Sequence, residues 1–306
     1  MMDIFLPIAR MPISIFAILG MGGMVGLLSG LFGVGGGFLL TPLLMWMGIP
    51  PAVAVASDTN QIVAASVSGT IAHSRNKNVD FKLGFIILVG SLIGGSFGTA
   101  LVKILQSLGN FEFVLKSTYV VMLLGVGVFM FIESINSLRK KGQKDLGTPK
   151  ESGAMRLMNK LPIKMHFEVS GIDCSVISLF LLGLLIGILA ALMGVGGGFI
   201  MLPVMIYLLG MPTIKAVGTS VFVIIFTAIN VTMAQSTLNH TVDVVLAIVL
   251  LIGSSIGAQF GAKLGKKLPA EQLRVIFSVI VLAVMIKMLL SLVVAPSALI
   301  SIGGGH

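Results

Sequence analysis

The chain has 306 residues, 56% of them hydrophobic and 10% charged, with 20 Lys and Arg against 11 Asp and Glu for a net charge of +9; mean hydropathy is +1.09. A soluble domain carries about a quarter of its residues as charges, so these figures exclude a soluble globular protein and point to an integral membrane protein. The single cysteine, Cys174, excludes an internal disulfide, and without a Cys or His cluster neither a metal nor a cofactor is expected.

Residues Met1 to Arg10 carry one Asp and one Arg, and the apolar stretch that follows runs past any cleavage site, so no cleavable signal is expected. Taking about 20 residues per span, apolar blocks fall at 12–48, 52–73, 83–108, 114–136, 174–210, 214–236, 242–265 and 272–296. They form two sets of four, which predicts an all-α, polytopic membrane protein with a first repeat at 1–136, a connector at 137–173 and a second repeat at 174–306. The connector holds Arg139, Lys140, Lys141, Lys144, Lys150, Arg156, Lys160 and Lys164, with Gly and Pro breakers. Lys and Arg lie between apolar segments, where cytoplasmic loops carry them, so orientation in the bilayer explains the basic charge and no nucleic-acid partner is expected.

Gly33-Val34-Gly35-Gly36-Gly37 recurs letter for letter at Gly194-Val195-Gly196-Gly197-Gly198. The match runs on to Pro42 and Pro203, then to Gly48-Ile49-Pro50 and Gly210-Met211-Pro212 after a one-residue insertion, and to Gly90/Gly94/Gly98 and Gly253/Gly257/Gly261. This is an internal repeat. Arg75, Lys77 and Lys82 flank one connection of the first half, whereas Lys263, Lys266, Lys267 and Arg274 flank a non-equivalent connection of the second. Placing both clusters and the connector in the cytoplasm requires an odd number of crossings per repeat, hence inverted repeats. The first block of each half resolves the parity as a glycine-broken hairpin without net crossing, which puts both termini outside; a long tilted, kinked helix is the alternative.

The breaks suggest chemistry. Successive glycines leave N–H groups free at a helix start, an anion cradle; Gly35, Gly36, Gly37, Gly196, Gly197 and Gly198 are its candidates. The glycine ladders at four-residue spacing read as close helix packing. Polar residues within apolar blocks add Ser57, Asp58, Thr59, Asn60 and, in the counterpart, Lys215, Thr219 and Ser220. Asp58 reads either as a proton-coupling group or as an N-cap, Lys215 as an anion attractor or a snorkelling side chain, and His73 as a proton relay or an interfacial histidine.

The stretch Gly26-Leu-Leu-Ser-Gly-Leu-Phe-Gly-Val-Gly-Gly-Gly-Phe-Leu-Leu-Thr-Pro42, its echo Gly187 to Pro203, and Lys215-Ala-Val-Gly-Thr-Ser220 resemble the sulfite exporter TauE/SafE family. The resemblance implies transport of sulfite, sulfoacetate or another organosulfonate across the bacterial inner membrane, coupled to protons. One departure is that the first half has Ala56-Ser57-Asp58 where the second has Gly218-Thr219-Ser220. The expectation is a non-enzymatic, alternating-access transporter in contact with membrane lipid, with a small anionic sulfur compound as its partner. An anion channel and a membrane assembly factor are the other classes, and a homo-oligomer is compatible with the sequence.

Overall fold

The computed structural model describes residues 3–32, 37–139, 161–265 and 270–293. The first half runs β1 (Asp3–Leu6), β2 (Met11–Ser14), α1 (Ile15–Phe32), α2 (Gly37–Trp46), α3 (Pro51–Arg75), α4 (Phe81–Ser107) and α5 (Phe111–Arg139). The second repeats that order as β3 (Lys164–Phe167), β4 (Ile172–Ser175), α6 (Val176–Met193), α7 (Gly198–Pro203), α8 (Thr213–Ala234), α9 (Val244–Gly265) and α10 (Ala270–Val293). Among the described residues, five stretches are long and apolar enough to cross a membrane: Phe81–Ser107, Phe111–Val128, Val176–Met193, Thr213–Asn239 and Val244–Gly261. The protein is a predominantly helical, multi-pass membrane protein.

Two short hairpins add to the sequence reading. An antiparallel hairpin precedes the helices of each half, β1–β2 with Asp3 opposite Ser14 and β3–β4 with Lys164 opposite Ser175. Each turn closes through one left-handed residue, Arg10 or Gly171, whose N–H donates to Leu6 O or Phe167 O. The hairpins are short and flanked by long apolar helices, so their period-two signal is drowned. The second hairpin lies partly inside the stretch 137–173 read as connector. Residues 140–160 of that connector lie outside the described residues.

The second half is longer than the first by a single residue at two places, in the same way each time. The span from Pro203 to Gly210 is one residue longer than that from Pro42 to Gly48, and it contains a π turn at Val204–Leu208. The span from Thr219 to Asp243 is one residue longer than that from Ser57 to Asp80, and it contains a second π turn at Gln235–Asn239. A π turn is how an α-helix takes in one extra residue.

The halves interlock. α1 packs on α9 and α4 on α6, backbone against backbone, because glycines leave no side chain between them: a Cβ on Gly94 would run into Leu184 O, and one on Gly257 into Gly23 O. Gly90 meets Phe180 and Gly94 meets Leu184, so α4 and α6 run parallel; Gly253 meets Leu19 and Gly257 meets Gly23, so α9 and α1 do too. The central pair, α3 and α8, runs antiparallel: the start of α3 lies beside the residue preceding α9, and the start of α8 beside the residue preceding α4. Where α2 and α7 begin, Phe38 and Phe199 stack with ring centroids 4.4 Å apart. Exposed apolar stripes run down the outside at Phe85, Val89, Ile93 and Phe97 of α4 and at Ile248, Ile252, Ile256 and Phe260 of α9.

Candidate functional site

The second glycine break is described in full. α6 ends at Gly194, whose φ of 73° and N–H bond to Ala190 O form a left-handed stop. Gly196 at φ 61° and Gly197 at φ 80° keep the chain in the region that side chains avoid, and α7 starts at Gly198. This geometry is why the sequence needs glycines there. Of the first break, Gly35 and Gly36 lie outside the described residues, and Gly37 begins α2.

Against the second break stands a wholly buried polar group from the first half. Asp58, two turns into α3, accepts a hydrogen bond from Thr41 Oγ1 of α2 at 2.8 Å. Thr41 Oγ1 also lies 3.5 Å from Met193 O, the last carbonyl of α6. Tyr119 of α5, fully buried, donates to the same Met193 O at 2.6 Å. Thr59 Oγ1 is 2.9 Å from Val55 O and 3.2 Å from Gly194 O. The second oxygen of Asp58 has no hydrogen-bond partner among the described residues and lies 3.3 Å from where a side chain on Gly37 would begin. No Lys or Arg pairs with Asp58 among the described residues. Asp58 is not a helix cap: α3 begins at Pro51, whose fixed φ suits the first helical position, and no side chain caps it.

The remaining candidates do not gather around it. Ser57 and Thr219, equivalent by the repeat, sit at opposite ends of the α3–α8 pair. Ser57 Oγ accepts the Asp243 N–H at 3.3 Å, and Thr219 Oγ1 accepts the Asp80 N–H at 3.0 Å. Asn60 donates to Ala56 O and Ser220 to Val217 O, each one turn back on its own helix. Lys215 donates to Val169 O in the β3–β4 turn. His73 packs beside Gly218, 15 residues and about 22 Å along α3 from Asp58.

Sequence reasoning missed four residues. Thr41 and Tyr119 are hydroxyls in apolar runs that only the fold brings to Asp58. The other two are Asp80 and Asp243, which cap α4 and α9 by accepting the N–H of Leu83 and of Leu246, both at 3.1 Å. Each also holds the other half's hairpin turn: Asp80 Oδ2 accepts from Ser170 N–H at 3.1 Å and Ser170 Oγ at 2.6 Å, and Asp243 Oδ2 accepts from the N–H of Ile8 at 2.9 Å and of Ala9 at 3.4 Å. Their equivalence in the repeat was the available signal.

Comparison with known proteins gives the family. The family model described as sulfite exporter TauE/SafE matches residues 18–288. The "Probable membrane transporter protein YunE" of Bacillus subtilis is 26% identical over 75% of this chain and 80% of its own length. YjnA of the same organism, also named a probable membrane transporter protein, is 29% identical over 66% of this chain and 71% of its own. The "Sulfite exporter TauE/SafE family protein 5" of Arabidopsis thaliana is 32% identical, but over only 23% of this chain and 17% of its own length. No solved structure gives a significant match. With a doubled glycine break, interlocked halves and a family match over most of its length, the chain belongs to the TauE/SafE sulfite exporter family of membrane transporters.

Proposed function

We propose that the chain is a secondary transporter that moves a small sulfur oxyanion, such as sulfite, sulfoacetate or another organosulfonate, across the bacterial inner membrane by alternating access, coupled to protons through Asp58. The observation that carries this reading is Asp58 itself: a carboxyl with 0% exposure, without a cationic partner among the described residues, set beside the start of α2 and linked through Thr41 to the last carbonyl before the second glycine break. Burying an unpaired carboxylate costs several kcal/mol, and a residue that takes up and gives back a proton there couples that cost to the transport cycle.

The anion's place is the pair of helix starts that meet at the Phe38–Phe199 stack. The N–H groups of an α-helix's first turn have no partner within the helix and carry partial positive charge. Gly37 and Gly198 open α2 and α7 there, with Gly35, Gly36, Gly196 and Gly197 of the breaks just before them. Thr59, Asn60 and Ser220 are given a lesser part than the backbone, because each hydroxyl or amide already has a backbone partner. Ser57 and Thr219 belong to the frame, and Lys215 draws anions toward the mouth. His73 is too far from Asp58 to exchange a proton with it directly.

The repeats are inverted in this reading. Supporting it, α3 and α8 are antiparallel while α1 and α9 are parallel, so equivalent helices point opposite ways. The same directions bring the ends of α3, α5 and α9, with Arg75, Arg139 and Lys263, to one side together with the starts of α6 and α8; that basic side is the cytoplasmic one. The exposed stripes on α4 and α9 face lipid.

The test is uptake of labelled sulfite or sulfoacetate into proteoliposomes under an imposed pH gradient. Accumulation above the outside concentration, lost in Asp58→Asn, is the expected result. Mere equilibration that still responds to membrane potential would make the protein a channel, and absence of any flux would overturn the transport reading.

A further inference from the structure

We propose that Thr41 is the residue through which the protonation state of Asp58 reaches the second glycine break. The inference rests on the reading of Asp58 as the proton-carrying residue, and it concerns how that proton is felt across the two halves. Thr41 stands between two acceptors, Asp58 Oδ2 at 2.8 Å and Met193 O at 3.5 Å, and a hydroxyl has a single hydrogen to give. An ionised Asp58 takes that hydrogen, because a bond to a charged acceptor is about twice as strong as one to a neutral carbonyl. When Asp58 Oδ2 gains a proton from the aqueous phase, the direction reverses: the carboxyl O–H donates to Thr41 Oγ1, and the Thr41 hydrogen turns to Met193 O. Met193 O has a second lone pair for it beside the one that Tyr119 uses.

The consequence falls on the other half of the molecule. Met193 is the last residue of α6, immediately before left-handed Gly194 and the turn to Gly198. A protonated Asp58 thus adds a tie between α2 and that turn, and an ionised one removes it. The relay exists once, since the repeat aligns Thr41 with Leu202 and Asp58 with Ser220.

The titratable groups that the packed elements bring here are few. α5 contributes Tyr119, whose hydroxyl is committed to Met193 O. The start of α9 contributes Asp243, one bond away through Ser57, with its carboxylate held by the N–H groups of Ile8, Ala9 and Leu246. α2, α6 and α7 contain no titratable residue, and Lys215 of α8 is engaged by Val169 O in the β3–β4 turn.

The experiment is hydrogen–deuterium exchange of the purified full-length protein in detergent, in acidic and alkaline buffer, read on the peptide covering Gly194–Gly198 and corrected for the intrinsic pH dependence of exchange. Wild type is expected to protect this peptide about tenfold more in acid, the worth of one added hydrogen bond. Thr41→Ser keeps that difference, whereas Thr41→Val and Asp58→Asn lose it. A difference that survives Asp58→Asn would overturn the reading of Asp58 itself. A difference lost in Asp58→Asn but kept in Thr41→Val would overturn the role of Thr41 alone, and so would its loss in Thr41→Ser. Should Thr41→Val fail to fold, infrared spectroscopy of the wild type and Thr41→Ser decides: the protonated-carboxyl band that Asp58→Asn removes must report a hydrogen-bonded group in both, and a free carboxyl band in either would refute the relay.

Discussion

The two central helices, α3 and α8, occupy equivalent places in the repeat and are built from different chemistry. α3 carries Ser57-Asp58-Thr59-Asn60 where α8 carries Thr219-Ser220-Val221-Phe222. Only the first position is alike, and it is the one that acts in the frame: Ser57 and Thr219 each hold the amide of an aspartate that caps a helix and grips a hairpin turn. At the next position the halves part, with Asp58 fully buried against the glycine break of the other half and Ser220 bonded to its own helix. The contacts that the frame makes twice are alike in the two halves, and the buried carboxyl is found in one of them.

The largest effect that would break this comparison is on transport. Asp58→Asn should abolish accumulation driven by a pH gradient, a loss of tenfold or more on the scale of about 1–3 kcal/mol for one buried polar group, whereas Ser220→Ala should leave it within about twofold. Equal losses in the two variants, measured as initial rates in proteoliposomes, would mean that the halves share the chemistry after all.

Next in size is Gly197→Val. Its φ of 80° is hostile to a β-branched residue, and its first side-chain carbon would lie 2.7 Å from the Ile186 side chain. Strain at one such position is worth about 1–3 kcal/mol, so the thermal midpoint in detergent should fall clearly. Gly20→Ala, at a helical glycine with open space around it, should not lower it. An unchanged midpoint in Gly197→Val would contradict the described turn.

Asp80→Ala and Asp243→Ala sharpen the symmetric side of the comparison. Each removes a cap and the grip on a hairpin turn, at a cost of about 1–2 kcal/mol, and the two should lower the midpoint by similar amounts. The smallest effect concerns Cys174, in β4 outside the spans: burial, with the neighbouring Asp173 carboxylate second, pushes its thiol up to about 11. Alkylation of the folded protein should therefore be slow at neutral pH and quicken as the pH rises toward that value, when the reactive thiolate forms. Rapid labelling at neutral pH would show the hairpin to be open.

What was legible beforehand follows from these residues. The repeat could be read because glycine and proline at the breaks are demanded by backbone geometry, which Gly194, Gly196 and Gly197 bear out with positive φ. Asp58 could be singled out because a carboxyl in an apolar block is costly. Its neighbours could not: Thr41 is 17 residues away in the chain and Met193 a further 152 from Thr41, and nothing local marks a hydroxyl in an apolar helix as a partner. Ser57 and Thr219 looked like ligand donors because a sequence lists hydroxyls without the amides that occupy them. Asp80 and Asp243 went unread for a related reason, since an aspartate ahead of a helix resembles an ordinary cap until the hairpin turn is seen resting on it.

The two π turns bear on how far such a molecule can drift. An extra residue in an α-helix rotates everything after it by about 100°, which would have carried the residues beyond it off the faces they share with the first half. Here each added residue is confined to one widened turn, at Val204–Leu208 and at Gln235–Asn239. The chain leaves the second of these in phase, and Asp243 still meets Ser57 as Asp80 meets Thr219. Length and phase are thus uncoupled in the second half: it is longer than the first, while the aspartate contacts and the glycine crossings that lock the two together stay in register.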